Sequence, residues 1–165
     1  MVFLVPRPWH KLFAMAGVTS NSQPSTLAAL RWLVLALLTF GMLGTAVDLV
    51  LLDHYEDAWQ WPPLALIVAG LLVVAWIVVR ENHAAILTLR WTMWSFVVAG
   101  IAGLVLHYNG NREFQKELDP ALSGWPLFVK VVTAKAPPAM APAGMIQLGL
   151  LGLLFTYKNS GRRET

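Results

Sequence analysis

Four stretches of the chain are apolar almost without interruption, and the polar residues collect between them. They run near 27–52, 61–79, 84–107 and 141–157. Each approaches the roughly 20 apolar residues that a helix needs to cross about 30 Å of hydrocarbon, the last being slightly short. None shows the alternation of barrel strands, and an unpaired backbone amide in lipid is costly, so helices are the expected form. Prolines stand where helices should begin: Pro24 before the first stretch, Pro62 and Pro63 at the second, Pro142 at the fourth. The pattern predicts an all-α integral membrane protein. A four-transmembrane-helix domain occupies 27–158, preceded by a cytoplasmic or interfacial segment (1–26) and followed by a cytoplasmic tail (159–165).

The two halves of this pattern resemble each other. The triplet Leu30-Arg31-Trp32 returns as Leu89-Arg90-Trp91, and ten residues after each arginine comes a glycine pair of equal spacing, Gly41 with Gly44 and Gly100 with Gly103. Pro63 lies seven residues before a Gly-Leu-Leu triplet at Gly70, and Pro142 seven before another at Gly149. These coincidences predict a bundle built from two similar helical hairpins, related by an axis along the membrane normal.

Composition supports a lipid solvent, with 57% hydrophobic residues against 13% charged. The absence of cysteine excludes disulfides and thiolate metal sites. A net charge of +3 could suggest nucleic acid, but the basic residues are scattered at the ends of apolar stretches, so no nucleic-acid partner is expected. They read better as topology signals. With the N-terminus inside, Arg7, Lys11, Arg31, Arg80, Arg90, Lys158, Arg162 and Arg163 fall on the cytoplasmic side, leaving Arg112, Lys116, Lys130 and Lys135 outside. Eight against four satisfies the positive-inside rule and puts both termini in the cytoplasm. The apolar run after Lys11 is too short for a cleaved signal peptide; Trp9, Leu12 and Phe13 are expected to touch the inner leaflet instead. The expected location is a membrane crossed several times, the cytoplasmic membrane for a bacterial source.

The outer segment 108–140 is long enough to form a helical cap. Tyr108-Asn109-Gly110-Asn111 reads as a turn, followed by a short amphipathic helix with Phe114 and Leu118, which stops at Asp119-Pro120. A second helix is expected with Pro126 at its first position. The run around Pro137 and Pro138 should break any helix before the fourth span.

Candidate chemistry gathers on the outer side. Asp48 and His107 each follow their glycine pair by four residues and lie 17 residues beyond Arg31 and Arg90. They should therefore share a depth and a helix face, converging in the outer half of the bundle with Gln147 nearby. Such a pair could bind a proton or cation, since an ionisable group among spanning residues often marks an ion path. His54, Glu56, Asp57, His107 and Glu113 could supply nitrogen and oxygen ligands to a divalent metal, although their spacing matches no compact signature. Haem is disfavoured, because a straight continuation of the first helix carries His54 about 9 Å above the level of His107. Gly41, Gly44, Gly100, Gly103, Gly149 and Gly152 are best assigned to helix packing, and Arg31 and Arg90 to snorkelling anchors.

No nucleophilic constellation is present, so an enzyme is not supported. The sequence favours a non-catalytic accessory or structural subunit of a membrane complex, or a homo-oligomer, with other membrane subunits or a second copy as partners in the lipid bilayer. The alternative is an outward-facing cation, proton or metal-binding or transport protein that uses Asp48 and His107. The cysteine-free chain gives the topology a clean test. Glu56→Cys is expected to react with an impermeant maleimide in intact cells, and His83→Cys only after lysis.

Overall fold

The structure, a computed structural model, describes residues 26–134 and 140–159. The expected N-terminal interfacial segment, the break at Pro137 and Pro138 and the tail beyond Asn159 lie outside the described residues. The regular elements are helical: α1 (Thr26–Leu51), a 3-10 turn (Ala58–Gln60), α2 (Trp61–Val79), α3 (His83–Leu118), α4 (Gly124–Val132) and α5 (Met140–Thr156).

Three of these are long and apolar enough to cross a membrane: α1, α2 together with its leading 3-10 turn, and α3. The fourth apolar helix, α5, has 17 residues. Only 22%, 22% and 28% of the apolar windows in the three long helices are buried within the protein. Large side chains such as Phe40, Leu72, Val98 and Leu154 face outward. Water tolerates contiguous apolar patches of only a few hundred Å² on a monomer, so this surface belongs in hydrocarbon. The chain is a membrane protein.

The buried residues recur every three or four positions, one stripe per helix. Leu35, Leu38, Met42 and Leu49 form the stripe of α1, Ile67, Gly70, Val74 and Ile77 that of α2, and Leu89, Met93, Phe96 and Gly100 that of α3. Helix α3 packs against α5, α2 and α4, while α1 packs against α5 and α2. Lipid supplies no hydrophobic drive between helices, so close backbone approach must do more of the work. Glycine permits it between α3 and α5. A Cβ on Gly100 would lie 2.7 Å from the Pro142 carbonyl oxygen, and one on Gly149 would lie 2.8 Å from that of Met93. Gly152 faces Met93, Gly103 faces the Pro142 ring, and Gly41 of α1 meets Leu148. Gly44 has open space around it.

The end of the bundle where Arg31 and Arg90 lie is closed by polar contacts. Arg90 Nη2 donates to the Thr156 carbonyl at 2.8 Å, and its Nε donates to Thr156 Oγ1 at 3.4 Å. Arg31 Nη2 donates to the Lys158 carbonyl at 3.4 Å. Arg90 thus satisfies a carbonyl that the C-terminus of α5 leaves without an intrahelical partner, Arg31 one in the turn that follows, and their charge suits the negative end of its dipole. Asn159 Nδ2 donates to Glu81 Oε1 at 3.2 Å, tying the same end to the α2–α3 connection. The N-terminus of α3 is capped by Asn82, whose side chain accepts from the Ala85 N–H at 2.9 Å.

Helix α3 corrects one expectation. It runs unbroken for 36 residues, through the Tyr108–Asn111 stretch expected to turn, and stops at Leu118. Gly110 and two asparagines weaken a helix only modestly, by about 1 kcal/mol for the glycine. Packing outweighs that cost: Leu127 and Val131 of α4 are buried, and the Phe128 ring lies 6.3 Å from that of Tyr108. Pro126 stands third in α4 rather than first, still within the turn whose amides need no helical partner.

The glycine contacts set a mutational contrast. Gly149→Val is expected to lower thermal stability in detergent by about 1–3 kcal/mol or prevent folding, because Met93 and Val97 meet it with backbone atoms. Gly44→Ala should leave stability unchanged or raise it slightly.

Candidate functional site

The candidate site begins where α1 ends. Asp53 adopts the left-handed conformation, with φ at 50°. Its N–H donates to the Val50 carbonyl at 3.1 Å, and the His54 N–H donates to that of Leu49 at 2.8 Å. These two bonds make the Schellman closure of a helix C-terminus, usually built on glycine. Aspartate is among the few other residues that tolerate the conformation. Its carboxylate accepts from the Tyr55 hydroxyl at 2.9 Å, which holds that phenol above its ordinary pKa.

The reversal carries His54 back toward α3. The His54 and His107 ring centroids lie 6.1 Å apart, with planes inclined by 21°. The expected vertical separation of the two histidines is therefore corrected. It assumed that α1 continued straight, whereas the turn at Asp53 reverses the chain. Burial and the neighbouring His107 both lower the pKa of His54, burial being the larger cause.

These rings border a cavity of about 570 Å³. That lies within the range of small-molecule pockets, about 300–1,000 Å³. Thr45 and Leu49 line it from α1, Pro62 and Pro63 from α2, and Ala141, Pro142 and Met145 from α5. The α3 wall carries Ala99, Gly100, Ala102 and Gly103, and these small residues leave the space open. Its polar side chains are those of Thr45, His54, Asp57, Gln60 and His107, with the indole of Trp59. The 3-10 turn fixes part of this rim: the Asp57 N–H donates to Gln60 Oε1 at 3.1 Å, and the Gln60 N–H donates to the Asp57 carbonyl at 2.9 Å.

The other candidates lie elsewhere. Asp48 is exposed and does not line the cavity that His107 faces. The reason is rotational: α1 turns its Leu35, Leu38, Met42 and Leu49 stripe inward, which leaves Gly44 and Asp48 on the exposed side. Gln147 is exposed on α5, Glu56 is exposed in the loop, and Glu113 is exposed on the C-terminal part of α3. No group of three or more His, Asp or Glu residues is placed to hold a metal ion among the described residues. The structure instead brings together His54, His107, Asp57 and Gln60 around one cavity.

An imidazole in its neutral form offers one donor and one acceptor, and an ionised Asp57 offers acceptors alone. The rim can engage a polar head while the walls accept an apolar body. Two sequence signals point here: the small-residue run Ala99-Gly100, Ala102-Gly103, and Asp57 three residues before Gln60. No family model, no curated protein and no solved structure matches the chain.

The His54 titration gives a pH test. Its pKa is lowered in the fold from the ordinary 6.5, so the associated stability is fully present above 6.5 and declines as pH falls through the folded value. Proton NMR should place the His54 midpoint below 6.5. In His107→Gln the midpoint should rise part of the way back, because burial remains while the neighbouring charge is gone.

Proposed function

We propose that the chain is a four-span membrane protein with both termini in the cytoplasm, and that it holds a small molecule in an outward-facing cavity without catalysing covalent chemistry. The observation carrying this reading is the cavity itself, with apolar walls from four helices and polar atoms concentrated around His54, Asp57, Gln60 and His107. A pocket with a few convergent polar groups and a perturbed histidine is the ordinary signature of a binding site. The cation-binding alternative from the sequence survives in altered form, with His54 and Asp57 joining His107 in place of Asp48.

The duplicated-hairpin reading belongs to this proposal, and the packing order is compatible with it. Helices α1 and α3 each touch both α2 and α5, as a twofold axis along the membrane normal would require. For a bacterial source the membrane would be the cytoplasmic one.

A second reading, the accessory subunit or homo-oligomer, rests on a different observation. The 24 residues from His83 to Leu106 already rise about 36 Å, more than the hydrocarbon thickness. Phe114, Leu118 and Trp125 are nevertheless exposed further along, on the outer end of α3 and on α4. Lipid chains do not reach that level, so a partner subunit or a second copy would be what covers them.

Mass spectrometry of the protein purified from its own host in mild detergent separates these readings. The cavity reading expects a bound small molecule that is lost in Ala102→Phe, where the new ring fills the space. If neither protein carries one and both leave the membrane within a larger polypeptide complex, the subunit reading replaces it.

A further inference from the structure

The charge around the cavity is one-sided. Among the described residues, Asp57 is the only formally charged one in its lining. No lysine or arginine occurs between Arg31 and Arg80, whereas Asp53, Glu56 and Asp57 all lie in the loop beside the cavity. His54 does not offset this, because burial and the neighbouring His107 both lower its pKa. The N-terminus of α2 would ordinarily attract an anion through its unpaired amides. Here Pro62 and Pro63 remove two of those donors, and both residues line the cavity. Trp59 stands at the same rim and presents an aromatic face to which an organic cation is attracted.

Ligand burial adds an energetic argument. A molecule seated in the cavity strips water from Asp57, and an anionic or uncharged head leaves that carboxylate without compensation. A positively charged head replaces the lost hydration. A bare metal ion would need more ligands than the two imidazoles supply, and no larger ligating group is assembled among the described residues. An organic cation needs no such shell, and its apolar body is accommodated by Leu49, Met145 and the small face of α3.

We infer that the cavity binds amphiphilic organic monocations, with the charged head between Asp57 and Trp59 and the apolar body directed toward α3 and α5. This inference rests on the cavity reading above. The test is equilibrium dialysis of the purified full-length protein in uncharged detergent against tetraphenylphosphonium and tetraphenylborate, two probes of nearly equal shape and opposite charge. The phosphonium should bind at least about tenfold more tightly. Asp57→Asn should remove most of that preference while keeping the fold, since an asparagine side chain can still cap the 3-10 turn that Asp57 opens. Trp59→Ala should weaken phosphonium binding by a few-fold.

Equal binding of both probes, unchanged in Asp57→Asn but abolished in Ala102→Phe, would overturn the cation inference and leave the cavity reading standing. Binding of neither probe, or binding unaffected by Ala102→Phe, would overturn both.

Discussion

The contact between α3 and α5 is the constraint on which the rest of the structure depends. Gly100 and Gly149 let each helix approach the backbone of the other, so the two pack through main chain as well as side chain. In lipid such proximity stands in for the hydrophobic drive that water would provide. Near the Arg90 end it brings the α5 C-terminus within reach of the guanidinium group, which then closes the helix through the Thr156 carbonyl. Beyond Gly100, the same small-residue face of α3 continues past the contact and becomes a wall of the cavity. One sequence feature therefore produces tight packing and, farther along, open space.

The cavity acquires its polarity from a different device. Helix α1 would leave the bundle were it not reversed at Asp53, and the reversal places a histidine against α3. The 3-10 turn that follows holds Asp57 and Gln60 in fixed relation before Pro62 and Pro63 start α2. Polar atoms thus come mainly from a short connecting segment, while the helices supply apolar walls. The arrangement separates two contributions: the helices set the width of the cavity, and the loop sets the polarity of its rim.

Much of the helical layout was legible because apolar runs and prolines register the demands of lipid directly. Thr26–Leu51 and Trp61–Val79 lie within a few residues of the expected spans. Arg31 and Arg90 were legible as residues of one end of the helices, yet their bonds to the end of α5 were not, since no local pattern links positions 127 and 66 residues apart. The outer part of α3 was misread because Asn and Gly favour turns in isolation, and only the packing of α4 reveals why the helix continues. The His54–His107 pair was hidden for a related reason. Its formation depends on one backbone conformation at Asp53, a residue that any sequence pattern would first read for its charge.

The continuity of α3 also has a mechanical meaning. A helix without a break transmits rotation along its length, and the tight contact at Gly100 is a natural fulcrum. His107 stands about 10 Å beyond that point and Leu118 about 27 Å, so a tilt that moves the imidazole by about 1 Å would move the far tip by about 2.6 Å. Helix α4 rides on the long arm of this lever. A small change in the width of the cavity would thereby be converted into a larger displacement on the surface above it.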